Sequence, residues 1–233
     1  SANYYDEIYA AVGKDYSAEA EKAHKFIQAH KRSAGNHLLD IACGTGVHAN
    51  LLSQHYEVDG LDLDARMLSV ARKKYPAIQF HRGDMVDFDL KHQFDAAICL
   101  FSSIGYVKTK ARLGKAIRNM ARHLAPGGVL LVEPWFSSEQ WNVGSSFMTT
   151  VSQPELKIAR VSHSRRKGKV SILEFQYLIG TPQGIERASE IHEMGLFTHE
   201  EYLSAFHVAG LEVVHDEEGL DGRGLYVGVV KTS

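Results

Sequence analysis

His37-Leu38-Leu39-Asp40-Ile41-Ala42-Cys43-Gly44-Thr45-Gly46 is an apolar run that stops at two glycines, and the stretch from Val47 to His55 behind it has helical character. A short apolar run closed by glycine reads as a buried strand, so the segment is a strand, a glycine turn and a helix. Glycines at such a turn let a ligand approach the main-chain N–H groups at the N-terminus of the next helix. The rhythm recurs downstream. Strand Glu57 to Leu61, helix Ala65 to Tyr75 stopped by Pro76, and strand Ile78 to Arg82 come next. Strand Phe94 to Leu100, helix Lys110 to Leu124 ending at Pro126-Gly127-Gly128, and strand Val129 to Glu133 follow. This alternation predicts a doubly wound α/β fold, a mostly parallel sheet with helices on both faces.

After Pro134 the pattern changes. Strand-like stretches at Phe147 to Val151, Leu156 to Ser164, Lys169 to Ile179 and Ile185 to Glu193 predict antiparallel hairpins, one turning at Arg165-Arg166-Lys167-Gly168. Helix Thr198 to Ala209, with Thr198 and Glu201 spaced as a capping box, leads to two closing strands, Glu212 to Asp216 and Leu225 to Val230. One domain over 1–233 is expected, with an N-terminal helical lid over 1–32 and an antiparallel insertion over 135–195. Hairpin strands left alone present unpaired edges, so a homodimer is expected to cover part of the insertion.

Composition narrows the partners. A formal net charge of -2 provides no basic field for a polyanion, so a small-molecule substrate is expected rather than nucleic acid. The two cysteines, Cys43 and Cys99, lack the spacing of a zinc site and read as reduced thiols of a cytoplasmic protein with no metal. No apolar run approaches the roughly 20 residues that span a bilayer, and SANYYDEIYA lacks a signal-peptide core, so no membrane role is expected. Ser1-Ala2 reads as the remnant of an added leader. Of the histidines, His24, His30, His55, His92, His123 and His207 fall in no ligand spacing.

The glycines alone do not decide the ligand, because Gly44-x-Gly46-x-x-Ala49 also fits the dinucleotide fingerprint. Asp40 decides. A carboxylate four residues before the first glycine suits a zwitterionic cofactor with an α-ammonium and sits badly beside a pyrophosphate. Asp62, at the end of the second strand, can accept both hydroxyls of an adenosine ribose, while Asp64 reads as the N-cap of the next helix. Met67, one turn into that helix, either covers an adenine ring or fills the core. Asp84, after the third strand, either takes an adenine amino group or holds a turn.

Three acids at the ends of three successive strands resemble the class I S-adenosylmethionine (SAM)-dependent methyltransferases. The resemblance implies a seven-stranded sheet of order 3-2-1-4-5-7-6 whose last strand runs antiparallel. More narrowly, Tyr5-Asp6-Glu7-Ile8-Tyr9, Gly13-Lys14-Asp15-Tyr16, Phe101-Ser102-Ser103-Ile104-Gly105-Tyr106 and Val132-Glu133-Pro134-Trp135 look like segments of the N,N-dimethyltransferases of dTDP-linked 3-amino-3,6-dideoxyhexoses. Ala159-Arg160-Val161-Ser162-His163-Ser164 and Gly222-Arg223-Gly224-Leu225-Tyr226-Val227-Gly228 carry the same likeness. It implies SAM as cofactor, a nucleotide-diphosphate aminosugar as substrate and methylation of its amine. Around the cofactor it implies Tyr16, Asp40, Ala42, Gly44 and Gly46, then Asp62, Leu63, Met67, Asp84, Met85 and Leu100. Around the acceptor it implies Ser102, Ser103, Trp135, His163, His192 and Arg223, the last placed to grip a diphosphate.

Methyl transfer is an in-line displacement, so the protein must align the partners and dry the site rather than form a covalent intermediate. The amine must arrive unprotonated. Tyr106, just beyond the fourth strand, is the first candidate to take or orient its proton, and Tyr9 on the lid is the second. Some members of the sugar family carry His where this chain has Tyr106. Three alternatives stay open: methylation of another small molecule at nitrogen or oxygen, a nicotinamide oxidoreductase, and a non-catalytic SAM-binding module.

Overall fold

The computed structural model of the protein describes residues 4–232, and the reading of Ser1-Ala2 lies outside them. Strands β1 (His37–Ile41), β2 (Glu57–Asp62), β3 (Gln79–Arg82), β4 (Phe94–Cys99) and β5 (Leu124–Val132) run parallel. The closing strands β10 (Leu211–Asp216) and β11 (Leu225–Val230) complete a seven-stranded sheet in the order β10-β11-β5-β4-β1-β2-β3. Strand β11 is antiparallel to both of its neighbours. Strand order reverses between β1 and β4, which leaves a crevice beyond their carboxyl ends.

The strands read as almost unbroken apolar runs because both faces are covered. Leu38, Ala96, Ile98 and Leu131 point to one face and pack with Ala23 and Ile27 of α2 (Tyr16–His30), Leu52 of α3 (Val47–Leu52) and Leu68 of α4 (Ala65–Lys74). Their neighbours Leu39, Ala97, Cys99 and Leu130 point to the other, with Ile117 of α5 (Lys110–Arg122) and Phe206 of α6 (His199–Val208). The capping box of α6 is formed, with Thr198 Oγ1 accepting from the Glu201 N–H at 3.2 Å and Glu201 Oε2 accepting from the Thr198 N–H at 3.1 Å.

A second sheet is antiparallel throughout, in the order β6 (Ser146–Gln153), β7 (Leu156–Lys167), β8 (Val170–Thr181), β9 (Gly184–Gly195). The β7–β8 ladder continues to the pair Lys167 and Val170, so the turn is Gly168-Lys169 and the basic run Arg165-Arg166-Lys167 is strand. Gly168, at φ +58, supplies the left-handed residue that a two-residue turn needs. Likewise α5 ends at Arg122, and Pro126-Gly127-Gly128 lie inside β5, where the pairing with β4 shifts register. Helix α1 (Tyr5–Ala11) buries Ile8 against Val151, Ile158, Phe175, Tyr177 and Ile179 on the inner face of this sheet. Of the segment expected as a lid, only α1 lies there; α2 is part of the helical layer on the main sheet.

Candidate active site

The glycine turn after β1 is built from unusual backbone. Ala42 (φ 61), Gly44 (φ 56) and Gly46 (φ 82) are all left-handed. Gly46 is favoured on packing grounds too, since a Cβ there would stand 2.8 Å from the Phe80 ring and force it to shift. Gly44 is the reverse case: among the described residues a Cβ would meet nothing within 4 Å, so the turn faces open space at this residue. Its N–H donates to Asp62 Oδ2 at 2.9 Å, and Asp62 Oδ1 accepts from the Asp64 N–H at 2.8 Å. Asp64 caps α4 by accepting from the Arg66 N–H.

Two cavities meet at this edge. The smaller, of about 40 Å³, is walled by Tyr16, Asp40, Thr45, His48 and Leu100. The larger, of about 1120 Å³, runs past Asp62, Leu63, Met67, Asp84 and Met85 to the second sheet. They share Tyr5, Ala42, Gly44 and Ser103 as walls. Met67 is half-buried at the cavity rather than in the core. Asp84 holds its turn and an ion pair: Oδ1 accepts from the Val86 N–H at 3.0 Å, and Oδ2 from Arg112 Nη2 at 2.8 Å.

The small cavity holds two orphaned groups. Asp40 is 3% exposed, and among the described residues its Oδ2 has no hydrogen-bond partner; the Tyr16 hydroxyl is likewise buried without one among them. Burial, with the Asp62 carboxylate nearby, pushes the Asp40 carboxyl up to about 8. Burial also raises the Tyr16 phenol, as does the Asp6 carboxylate. A buried carboxylate that lacks a counter-charge is a poor structural element and a good receptor for an ammonium group. These donor and acceptor types fit the amino-acid end of a zwitterionic cofactor, and the Asp62 carboxylate fits a ribose. Helix α1 closes over the turn, with Thr45 Oγ1 donating to Asp6 Oδ1 at 2.7 Å and Lys74 Nζ donating to Asp6 Oδ2 at 2.5 Å.

Across the larger cavity stand Tyr9, Tyr106, Arg160, Phe175, Tyr177 and Glu190, with His192. Tyr106 Oη and His192 Nδ1 are 2.5 Å apart, His192 Nε2 lies 3.5 Å from Glu190 Oε2, and Tyr177 donates to that same oxygen at 2.9 Å. Burial raises the Tyr106 phenol, and Tyr9 and Glu190 push it the same way. The Arg160 guanidinium sits 5.4 Å from the Tyr9 ring and 5.0 Å from that of Phe175.

Other residues singled out from the sequence lie elsewhere. His163 bonds to Ser146 across β6 and β7, and strand alternation puts it on the face opposite Arg160, Ser162 and Ser164. Arg223 does not wall either cavity: its Nη1 donates to Ser102 Oγ at 3.0 Å, and Asp221 and Glu133 stand 3.4 and 3.9 Å away. Ser102 is fully buried and donates to the Pro134 carbonyl, while Trp135 spends its indole N–H on Ser171. Sequence reading missed Glu133, which is buried, accepts from the Phe101 N–H at 2.6 Å and is pushed up to about 7 by burial and Asp221. It also missed Tyr5, Arg160, Tyr177 and Glu190. Tyr5 stands one helical turn before Tyr9, a spacing that places both on one face.

Residues 38–128 match the family model described as a methyltransferase domain. The chain is 41% identical to the dTDP-3-amino-3,4,6-trideoxy-alpha-D-glucopyranose N,N-dimethyltransferase of Streptomyces venezuelae, over 98% of this chain and 97% of the relative. It is also 41% identical to the dTDP-3-amino-3,6-dideoxy-alpha-D-glucopyranose N,N-dimethyltransferase of Streptomyces fradiae, over 98% and 90%. Among solved structures, SAM-bound CalS10, an amino pentose methyltransferase from Micromonospora echinaspora, superposes with a TM-score of 0.87 at 39% identity, covering 97% of this chain and 95% of that one. The doubly wound fold, the glycine turn with its paired acids and full-length similarity of this degree converge: the chain is a SAM-dependent methyltransferase of the family that contains the dTDP-aminosugar N,N-dimethyltransferases.

Proposed function

We propose that the enzyme methylates the amino group of a nucleotide-diphosphate-linked aminosugar held in the larger cavity. One observation carries this reading: the small cavity with its orphaned Asp40 carboxyl adjoins, through the shared walls Ala42, Gly44 and Ser103, a cavity of about 1120 Å³ that has room for both the nucleoside end of the cofactor and a nucleotide sugar. The relatives' acceptors are aminosugar nucleotides, which agrees with that size.

When bound, SAM supplies an electrophilic methyl group on a sulfonium. Asp40 and Tyr16 would receive its amino-acid end, with Leu100 beside them; Asp62 would receive the ribose, and Leu63, Met67, Asp84 and Met85 the base. Gly44 keeps the turn open, and Gly46 lets it pack on Phe80. Tyr5, Tyr9 and α1 exclude water, which strengthens every electrostatic contact inside. Tyr106 orients the amine and takes its proton, with Tyr9 beside it. Of the cations that wall the cavity, Arg66, Arg82, Lys108, Arg112 and Arg160, Arg160 is the one presented by a strand of the insertion, and it would meet the acceptor's phosphates in a chain whose net charge offers no general attraction.

The outer face of the second sheet carries the exposed apolar side chains Met148, Val161, Leu178 and Ile191. This is the surface a second copy of the chain would cover, which supports a homodimer. Among the described residues no helix is long and apolar enough to cross a membrane, and no cluster of three or more His, Cys, Asp or Glu residues is placed to hold a metal. Incubation with labelled SAM and a panel of nucleotide aminosugars tests the reading.

A further inference from the structure

We infer that Tyr106 does not work alone: His192 and Glu190 form with it a proton relay that draws the proton from the acceptor amine. The inference rests on the aminosugar reading for its acceptor, but its geometry belongs to the chain. Tyr106 comes from the 3₁₀ turn Ser103–Val107 behind β4, whereas His192 and Glu190 come from β9 of the other sheet. The three meet on the cavity wall, at 2.5 Å from Tyr106 Oη to His192 Nδ1 and 3.5 Å from His192 Nε2 to Glu190 Oε2.

A phenol is a poor base near neutral pH, and the surroundings of Tyr106 disfavour its phenolate further. A phenol hydrogen-bonded to an imidazole meets no such obstacle, since it can accept one proton while surrendering its own. As the N–H bond of the acceptor breaks, an O–H bond forms at Tyr106. The original Tyr106 O–H proton passes to His192 Nδ1. The resulting imidazolium carries protons on both nitrogens, and its Nε2–H faces the Glu190 carboxylate, which stabilises the positive charge. Release of one proton to water resets the relay. For this the resting imidazole must carry its proton on Nε2, the tautomer favoured by an acceptor on that side.

The charged and titratable groups facing the relay include Tyr5 and Tyr9 from α1, Asp62 from β2, Arg66 from α4, Arg160 from β7 and Tyr177 from β8. Tyr177, donating to Glu190 Oε2 at 2.9 Å, holds the carboxylate that orients His192. Tyr106 is thus the catalytic residue, while His192 and Glu190 are positioning residues that act through it. A purely architectural role for β9 would require no such alignment of Nδ1 on the phenol.

The test has two arms. In the first, the full chain with isotope-labelled histidine is observed by NMR without any acceptor. We expect His192 as the Nε2–H tautomer, with its Nδ1 resonance displaced in Tyr106→Phe. A proton on Nδ1, or a resonance indifferent to Tyr106→Phe, overturns the relay. In the second, kcat and KM are measured from about pH 6 to about 9 at saturating SAM for wild type, His192→Gln, Glu190→Gln and Tyr106→Phe. We expect His192→Gln to lower kcat by ~10-fold or more across the pH range with KM little changed. Glu190→Gln should lower kcat less, again with KM little changed. Combining His192→Gln with Tyr106→Phe should be no slower than the slower single variant, because both interrupt one path. A His192→Gln enzyme with the wild-type kcat profile overturns the relay. If wild type methylates no nucleotide aminosugar, the acceptor assignment falls, and the NMR arm still decides the relay. Should His192→Gln fail to fold, Glu190→Gln and Tyr106→Phe decide the kinetic arm.

Discussion

The backbone N–H of Gly44 donates to the Asp62 carboxylate at 2.9 Å, tying the glycine turn after β1 to the end of β2. One acid thus shapes the turn with one oxygen and the start of α4 with the other, through the Asp64 N–H. Asp62→Ala should weaken SAM binding by roughly 1.5–3 kcal/mol, the range for losing hydrogen bonds to a charged group. Titration calorimetry on the folded variant reads this directly; unchanged affinity would remove Asp62 from the cofactor site.

Gly44→Val separates cofactor binding from folding. Among the described residues, none beyond its chain neighbours lies within 4 Å of a Cβ at this position, so the cost to the fold is backbone strain at φ 56, on the order of 1–2 kcal/mol. SAM affinity should nevertheless be lost, because the side chain would occupy the cofactor's approach to the turn. A variant that melts only a few degrees lower and still binds SAM as wild type does would contradict the assignment.

Asp40 makes the pH dependence specific. Its carboxyl, pushed up to about 8 by burial and by Asp62, is mostly protonated at neutral pH in the ligand-free enzyme. An ammonium bound beside it favours the carboxylate, so SAM binding near neutral pH should release a proton and tighten as the pH rises toward 8. Calorimetry in buffers of different ionisation enthalpy would detect that proton, and Asp40→Asn should abolish it. The stability of the ligand-free enzyme runs the opposite way. A raised carboxyl pKa means that the folded state binds more protons than the unfolded chain between about 4 and 8, so this group's contribution falls as pH rises through that window. Asp40→Asn should flatten the decline.

The acceptor's phosphates discriminate between two arginines. Arg160 walls the large cavity, whereas Arg223 is engaged by Ser102, Asp221 and Glu133. Arg160→Ala should raise KM for the nucleotide sugar ~10-fold or more while leaving SAM affinity unchanged, as expected when binding common to ground and transition states is lost. Arg223→Ala should act more weakly on KM. The reverse ranking would return the diphosphate to Arg223.

Most of the parallel sheet was legible because its signals are local. The apolar run at Leu38 to Ile41 and the glycines behind it fix a strand and a turn without knowledge of the rest of the chain. Asp40, Asp62 and Asp84 then fall at strand ends by counting, and all three line the two cavities. The insertion was legible as strands but not as faces. A period of two says that Arg160 and His163 point opposite ways, yet which of them meets the cavity depends on what covers the sheet. That covering is α1, whose Ile8 packs on the inner face. The surroundings of Arg223 were hidden for a related reason. Gly222 at φ 90 and Gly224 at φ 84 fold the loop so that the guanidinium meets the buried Ser102, a contact across 121 residues of sequence.

The most direct test of the activity is mass analysis of the acceptor after incubating the full chain with labelled SAM and dTDP-linked amino-dideoxyhexoses, with the corresponding free sugars and other small amines as controls. The expected product is the nucleotide sugar carrying one or two labelled methyl groups on nitrogen, formed by wild type and lost in Gly44→Val. Methylation of a simple amine or a hydroxyl compound, with every nucleotide aminosugar untouched, would contradict it.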